Sequence, residues 1–136
     1  MLGLVIFAVL NLKNNSINTN RKIIYAMNAM RNKVQLIGNV GNDPEIKNFD
    51  NGKKNAQLTI ATHERYTNDR GEKVEQTEWH RIIAWGKTAE LIERYVVKGK
   101  EIAVEGKLTH RSYDDKNGEK RYITEVVVNE ILLLSK

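Results

Sequence analysis

The sequence predicts an all-β domain interrupted by one short helix. Three observations carry that reading. Apolar residues alternate with polar ones over several runs rich in Val, Ile and Thr. Turn-forming clusters containing Asn, Asp and Gly separate those runs. The period changes to that of a helix only once, between Gly86 and Lys98.

The elements follow in order. Arg31 to Val40 reads as a strand that stops at Gly41-Asn42-Asp43-Pro44, and Glu45 to Phe49 as a short continuation. Asp50-Asn51-Gly52 is a hairpin signal. Ala56, Leu58 and Ile60 alternate with Gln57, Thr59 and Ala61, the pattern of a half-buried strand. Residues 63–77 are polar and read as an exposed loop or hairpin arm, and Glu78 to Trp85 is the next strand. In the helix, Thr88, Leu91, Ile92 and Tyr95 share a face, which assigns Tyr95 to the core; Gly99 suits the left-handed position past its end. Lys100 to Tyr113 and Arg121 to Leu134 are long strands flanking the turn Asp114 to Gly118. Three strands, a helix and two strands is the order of a five-stranded Greek-key barrel of the OB type, its helix between strands 3 and 4.

Composition narrows the function classes. The 136 residues suit one globular domain, and the absence of cysteine excludes disulfides, thiolate metal sites and a Cys nucleophile. Of the 22 Lys and Arg, three (Lys13, Arg21, Lys22) lie in residues 1–29, which hold no acid, so residues 30–136 carry 19 basic against 17 acidic groups. A reading based on nucleic-acid binding must therefore rest on where charges sit. Residues 1–29 differ from the rest. MLGLVIFAVL is ten residues, too short to span a bilayer, and no basic residue precedes it as a signal peptide requires. An Asn-rich run follows, and Met27 and Met30 offer alternative starts, so 1–29 reads as a disordered leader or a start-site artefact and 30–136 as the domain.

Chemistry concentrates on Glu78 to Trp85. Alternation puts Trp79, Arg81, Ile83 and Trp85 on one face and His80, Ile82 and Ala84 on the other. Two tryptophans flanking an arginine suit a flat, anionic ligand such as single-stranded nucleic acid, and equally a core or an oligomer interface. Tyr66, beside Arg65, and Tyr113, two residues after Arg111, stand at loop-proximal positions with little core to join. An enzyme reading finds no H-E-x-x-H, paired-carboxylate, G-x-S-x-G or phosphate-loop motif. Its remaining candidate is a metal-dependent hydrolase using Glu78 and His80, and a satisfied or interface histidine is the simpler account.

Asn32 to Glu45 (NKVQLIGNVGNDPE) resembles the opening of the bacterial single-stranded DNA-binding protein family. So do Thr77 to Arg81, Trp85-Gly86-Lys87, Lys98-Gly99-Lys100, Val104-Glu105-Gly106 and Arg121 to Val128, in order across about residues 32–130. The resemblance implies an OB-fold homotetramer that coats single-stranded DNA without sequence preference in replication, recombination and repair. It implies no catalysis, no cofactor or metal and no membrane association, and a cytoplasmic, nucleoid-associated location. It places the base-stacking rings on Tyr66, Trp79, Trp85 and Tyr113, and basic contacts on Lys33, Lys47, Arg81, Lys87, Lys98 and Arg111. The alternative of the same architecture is an RNA-binding or primosome-type accessory module. The family's acidic, apolar-tipped C-terminal tail has no counterpart in the closing ILLLSK, so tail-mediated recruitment of replication and repair proteins is not expected.

Overall fold

A computed structural model describes residues 16–134 of the chain. The chain divides into two compact units, Met1–Lys33 and Val34–Lys136. The first contains helix α1 (Ser16–Arg31), where the sequence pattern predicts no element. Four asparagines across residues 14–20 hide it, while Ile23, Met27 and Met30 keep helical spacing within a run of good helix formers. The expectation for residues 1–15 falls outside the described residues.

The second unit is a β-barrel. Its elements are β1 (Val34–Val40), β2 (Glu45–Asn48), β3 (Lys54–Thr67), β4 (Lys73–Trp85), helix α2 (Gly86–Tyr95), β5 (Glu101–Asp114) and β6 (Lys120–Leu133). The strands lie in the order β1-β5-β6-β4-β3-β2, and a further β1–β3 pairing closes five of them into a ring. The continuation expected after Pro44 is a separate strand, β2, which pairs with β3 alone. In chain order the helix therefore falls between the fourth and fifth strands rather than the third and fourth.

Alternation selects the core. Ala56, Leu58 and Ile60 on β3, Ile82 and Ala84 on β4, Ile102 and Val104 on β5, and Val126 and Val128 on β6 point inward. Helix α2 contributes Ala89 and Ile92, with Val96 just beyond its end, a spacing of three and four residues that makes one stripe. Tyr95 is not in that stripe. It is 47% exposed with the Arg94 guanidinium over its ring, because helical rotation carries it off the buried Ala89–Ile92 line.

Two glycines allow the barrel to close. A Cβ at Gly38 would lie 2.2 Å from the carbonyl oxygen of Ala61, where β1 crosses β3. A Cβ at Gly106 would lie 2.1 Å from that of Val127, at the point where the β5–β6 register slips past Asn129. Among the described residues, no helix is long and apolar enough to cross a membrane.

Candidate nucleic-acid interface

The side of β4 that does not line the core carries Trp79, Arg81, Ile83 and Trp85, as the alternation of the sequence predicts. Hydrogen-bonded neighbours extend that face. Ile83 lies beside Gln57 of β3 and Val127 of β6, and Val127 beside Lys107 of β5. Counting by twos from these rows adds Thr109, Arg111 and Tyr113 of β5 and Glu125 of β6. On the other side, Trp85 lies beside Asn55 and Asn55 beside Lys47. One sheet face thus gathers Trp79, Arg81, Trp85, Lys47, Arg111 and Tyr113.

The rings stand in solvent: Trp79 is 64% exposed, Trp85 43% and Tyr113 45%. Backbone makes room for the first of them. A Cβ at Gly41 would meet the Trp79 ring at 2.4 Å, so the indole lies against bare main chain. The next residue braces that support, because the Asn42 Oδ1 accepts both the Thr59 N–H (2.8 Å) and the Thr59 hydroxyl (2.7 Å). Asp43 then accepts the Lys98 N–H at 2.9 Å, tying the β1–β2 link to the segment after α2. The Gly41-Asn42-Asp43 turn, read in the sequence only as a strand stop, is thus the seat of a ring.

Tyr66 departs from this set. It pairs with Val74 and shares the pleat face of Leu58 and Ile60, and it is exposed because the β3–β4 arm runs on past the core. Lys87 is the second residue of α2, and Lys98 follows that helix; both are exposed. Lys33 falls in the first unit.

Electrostatics rank the cations. The Arg111 Nε donates to the Glu125 Oε1 at 2.9 Å, and that carboxylate is 6% exposed, so Arg111 is already paired. Arg81 and Lys87 make no ion pair with another described residue. Beyond Tyr113, the hydrogen bond from Arg121 and the Glu119 N–H hold the Asp115 carboxyl below the usual carboxylate range. Asp115 also accepts the Asn117 N–H, so the turn is fastened above its carboxyl's folded pKa and loosens as pH falls through it.

The histidines are tied to threonines. His80 Nε2 meets Thr62 Oγ1 at 2.8 Å, His63 Nδ1 meets Thr77 Oγ1 at 3.0 Å, and His110 Nδ1 meets Thr124 Oγ1 at 2.8 Å. Glu78 accepts from Gln76. Among the described residues, no group of three or more His, Cys, Asp or Glu could hold a metal ion.

Residues 31–134 match the model of the single-strand binding protein family. The chain is 45% identical over 104 residues to single-stranded DNA-binding protein 1 of Chlorobaculum tepidum, covering 76% of this chain and 64% of that one. It is 48% identical over 106 residues to the single-stranded DNA-binding protein of Bacteroides thetaiotaomicron, covering 76% of this chain and 66% of that one. The chain therefore spans slightly less than two thirds of these relatives' length. A solved structure of a Plasmodium falciparum SSB complex with ssDNA superposes with a TM-score of 0.71 at 33% identity, covering 76% of this chain and 95% of that one.

Proposed function

The chain belongs to the single-strand binding protein family, and from that premise we propose that its barrel binds single-stranded DNA without sequence preference and without catalysis. The observation that carries the reading is the sheet face on which Trp79, Arg81 and Trp85 stand in solvent beside Tyr113 and Lys47. Every base offers a π-face to a ring, and every nucleotide a phosphate to a cation, so this face needs no particular sequence. The proposed contacts are the rings of Trp79, Trp85, Tyr113 and, from the arm, Tyr66, with Arg81 and Lys87 foremost among the cations and Lys33, Lys47, Lys98 and Arg111 behind them. The role that follows is coating single strands exposed in replication, recombination and repair, in the cytoplasm with the nucleoid. Oligomers of DNA and RNA of equal length and sequence test it. Tighter binding of DNA is expected, and a preference for RNA would favour an RNA-binding module of the same architecture.

With residues 30–136 nearly balanced in charge, a few placed cations must meet the phosphates. Each phosphate neutralised contributes about −0.7 to the slope of log affinity against log salt for single strands. Arg81→Ala and Lys87→Ala are each expected to make that slope shallower by roughly this amount, and Arg111→Ala by less because Glu125 already holds Arg111. Titrations at several salt concentrations measure it; unchanged slopes for Arg81→Ala and Lys87→Ala would move the phosphate path elsewhere.

We also propose a homotetramer whose binding domain is 30–136. Ile37, Leu91 and Leu132 are exposed and, with Leu36 and Ile131, line a cavity of about 570 Å³ against β1, β5, β6 and α2, the sort of apolar surface a second copy covers. Light scattering should give about four times the 15.6 kDa of the chain. A chain that begins at Met30 should fold, assemble and bind DNA like the full one. Loss of the assembly on that truncation would place residues 1–29 in it.

A further inference from the structure

Asn55 is 3% exposed, and among the described residues its Oδ1 has no hydrogen-bond partner. A buried carbonyl oxygen without a donor is costly and rare, and its usual remedy is a donor supplied by water or by a ligand. Asn55 leaves β3 on the pleat face of Trp85, between Trp85 on β4 and Lys47 on β2. Neighbouring strands are about 4.8 Å apart, so the backbone positions of Lys47, Asn55 and Trp85 span roughly 10 Å across the sheet. Phe49, just past the end of β2, stacks on Trp85 with ring centroids 5.7 Å apart and 27° between planes. The Phe49 ring is held by a tight turn, in which its N–H donates to the Lys53 carbonyl and its own carbonyl accepts from Gly52. This row offers one group for each part of a nucleotide: a cation for phosphate, rings for the base's face and an acceptor for its edge.

We propose that Phe49 and Asn55 complete, with Trp85 and Lys47, a seat for a single nucleotide, in which the Asn55 Oδ1 accepts an N–H from the base edge. The inference rests on the single-stranded DNA reading above and adds a hydrogen bond to it. Adenine N6, cytosine N4, guanine N1 and N2, and thymine N3 all carry a donor on the Watson–Crick edge. An acceptor at this point is therefore compatible with binding that tolerates every sequence. Since Oδ1 is out of contact with solvent, the side chains that cover it must shift to admit the base.

The test compares fluorescein-labelled oligo(dT) with the same oligomer built from N3-methylthymidine, by anisotropy, on the full chain. Methylation at N3 deletes the only N–H of thymine and keeps its ring. The unsubstituted chain should favour oligo(dT) by about fivefold or more. Asn55→Val removes the orphan oxygen, suits a strand, and should shrink that preference by about fivefold; Asn55→Ala makes the same comparison if valine disturbs thermal melting. Phe49→Leu should weaken both oligomers by about fivefold and leave their ratio alone. An unaltered ratio in folded Asn55 variants overturns the hydrogen bond, and undiminished binding by Phe49→Leu overturns the ring's part. Failure of the unsubstituted chain to bind either oligomer would instead overturn the single-stranded DNA reading itself.

Discussion

Replacing Trp79 or Trp85 by alanine is expected to weaken single-strand binding by about 1–3 kcal/mol each, a rise in Kd of about 5- to 150-fold. The magnitude is that of one lost base–ring stack. Neither residue belongs to the core cluster, and Trp79 in particular is 64% exposed, so folding should be little affected and the loss should be one of binding. Trp85 has a second role, as the partner of Phe49, and its removal leaves that ring unsupported. Thermal melting beside an anisotropy titration separates the two effects. If both variants stay folded and bind as tightly as the unsubstituted chain, the face of β4 is not a stacking platform.

The largest effect on stability is expected at the two glycines that let the barrel close. Alanine at Gly38 or Gly106 would press a Cβ to within about 2.2 Å of a carbonyl oxygen, and the obstacle is backbone that cannot rotate away. Overpacking costs about 1–3 kcal/mol, and an obstacle made of backbone puts these two glycines at the upper end, about 3 kcal/mol. For a domain of this size that lowers Tm by roughly 12–24 °C. Gly52→Ala, at the tip of the β2–β3 turn, is the informative comparison: its added Cβ meets nothing, and its penalty comes only from φ +78°. A Gly38→Ala variant that melts within a few degrees of the unsubstituted chain would mean that β1 does not pass β3 so closely.

Residues whose role follows from alternation were legible before the structure. Trp79, Arg81 and Trp85 share a face because a strand repeats every two residues, and no tertiary contact alters that. The inward set Ala56, Leu58 and Ile60 was readable for the same reason. What the pattern could not carry was lateral: which residue of one strand stands beside which of another. Tyr113 joins the Trp79 face only through the pairing of β5 with β6 and of β6 with β4. Tyr66 leaves the arm on the other pleat face although it belongs to the same group of proposed rings. In the sequence Phe49 reads as the end of a short strand, and nothing in the pattern singles out Asn55. Their meeting with Trp85 depends on β2 folding back on β3, a pairing that local periodicity does not encode. The sequence face Thr88, Leu91 and Tyr95 is offset by one residue from the buried line Ala89, Ile92 and Val96, which is why Tyr95 lies outside the core. Helix α1 is hidden in the sequence because its asparagines speak for turns as strongly as its methionines speak for a helix.

The chain has only two tryptophans, and both stand on the proposed platform. Intrinsic tryptophan emission is therefore a direct report on the central claim. Titration with oligo(dT) should quench it saturably, in parallel with the anisotropy of a labelled oligomer, and added salt should reverse both together. Binding seen by anisotropy with tryptophan emission unchanged would contradict the account, because the strand would then lie on a surface that neither Trp79 nor Trp85 touches.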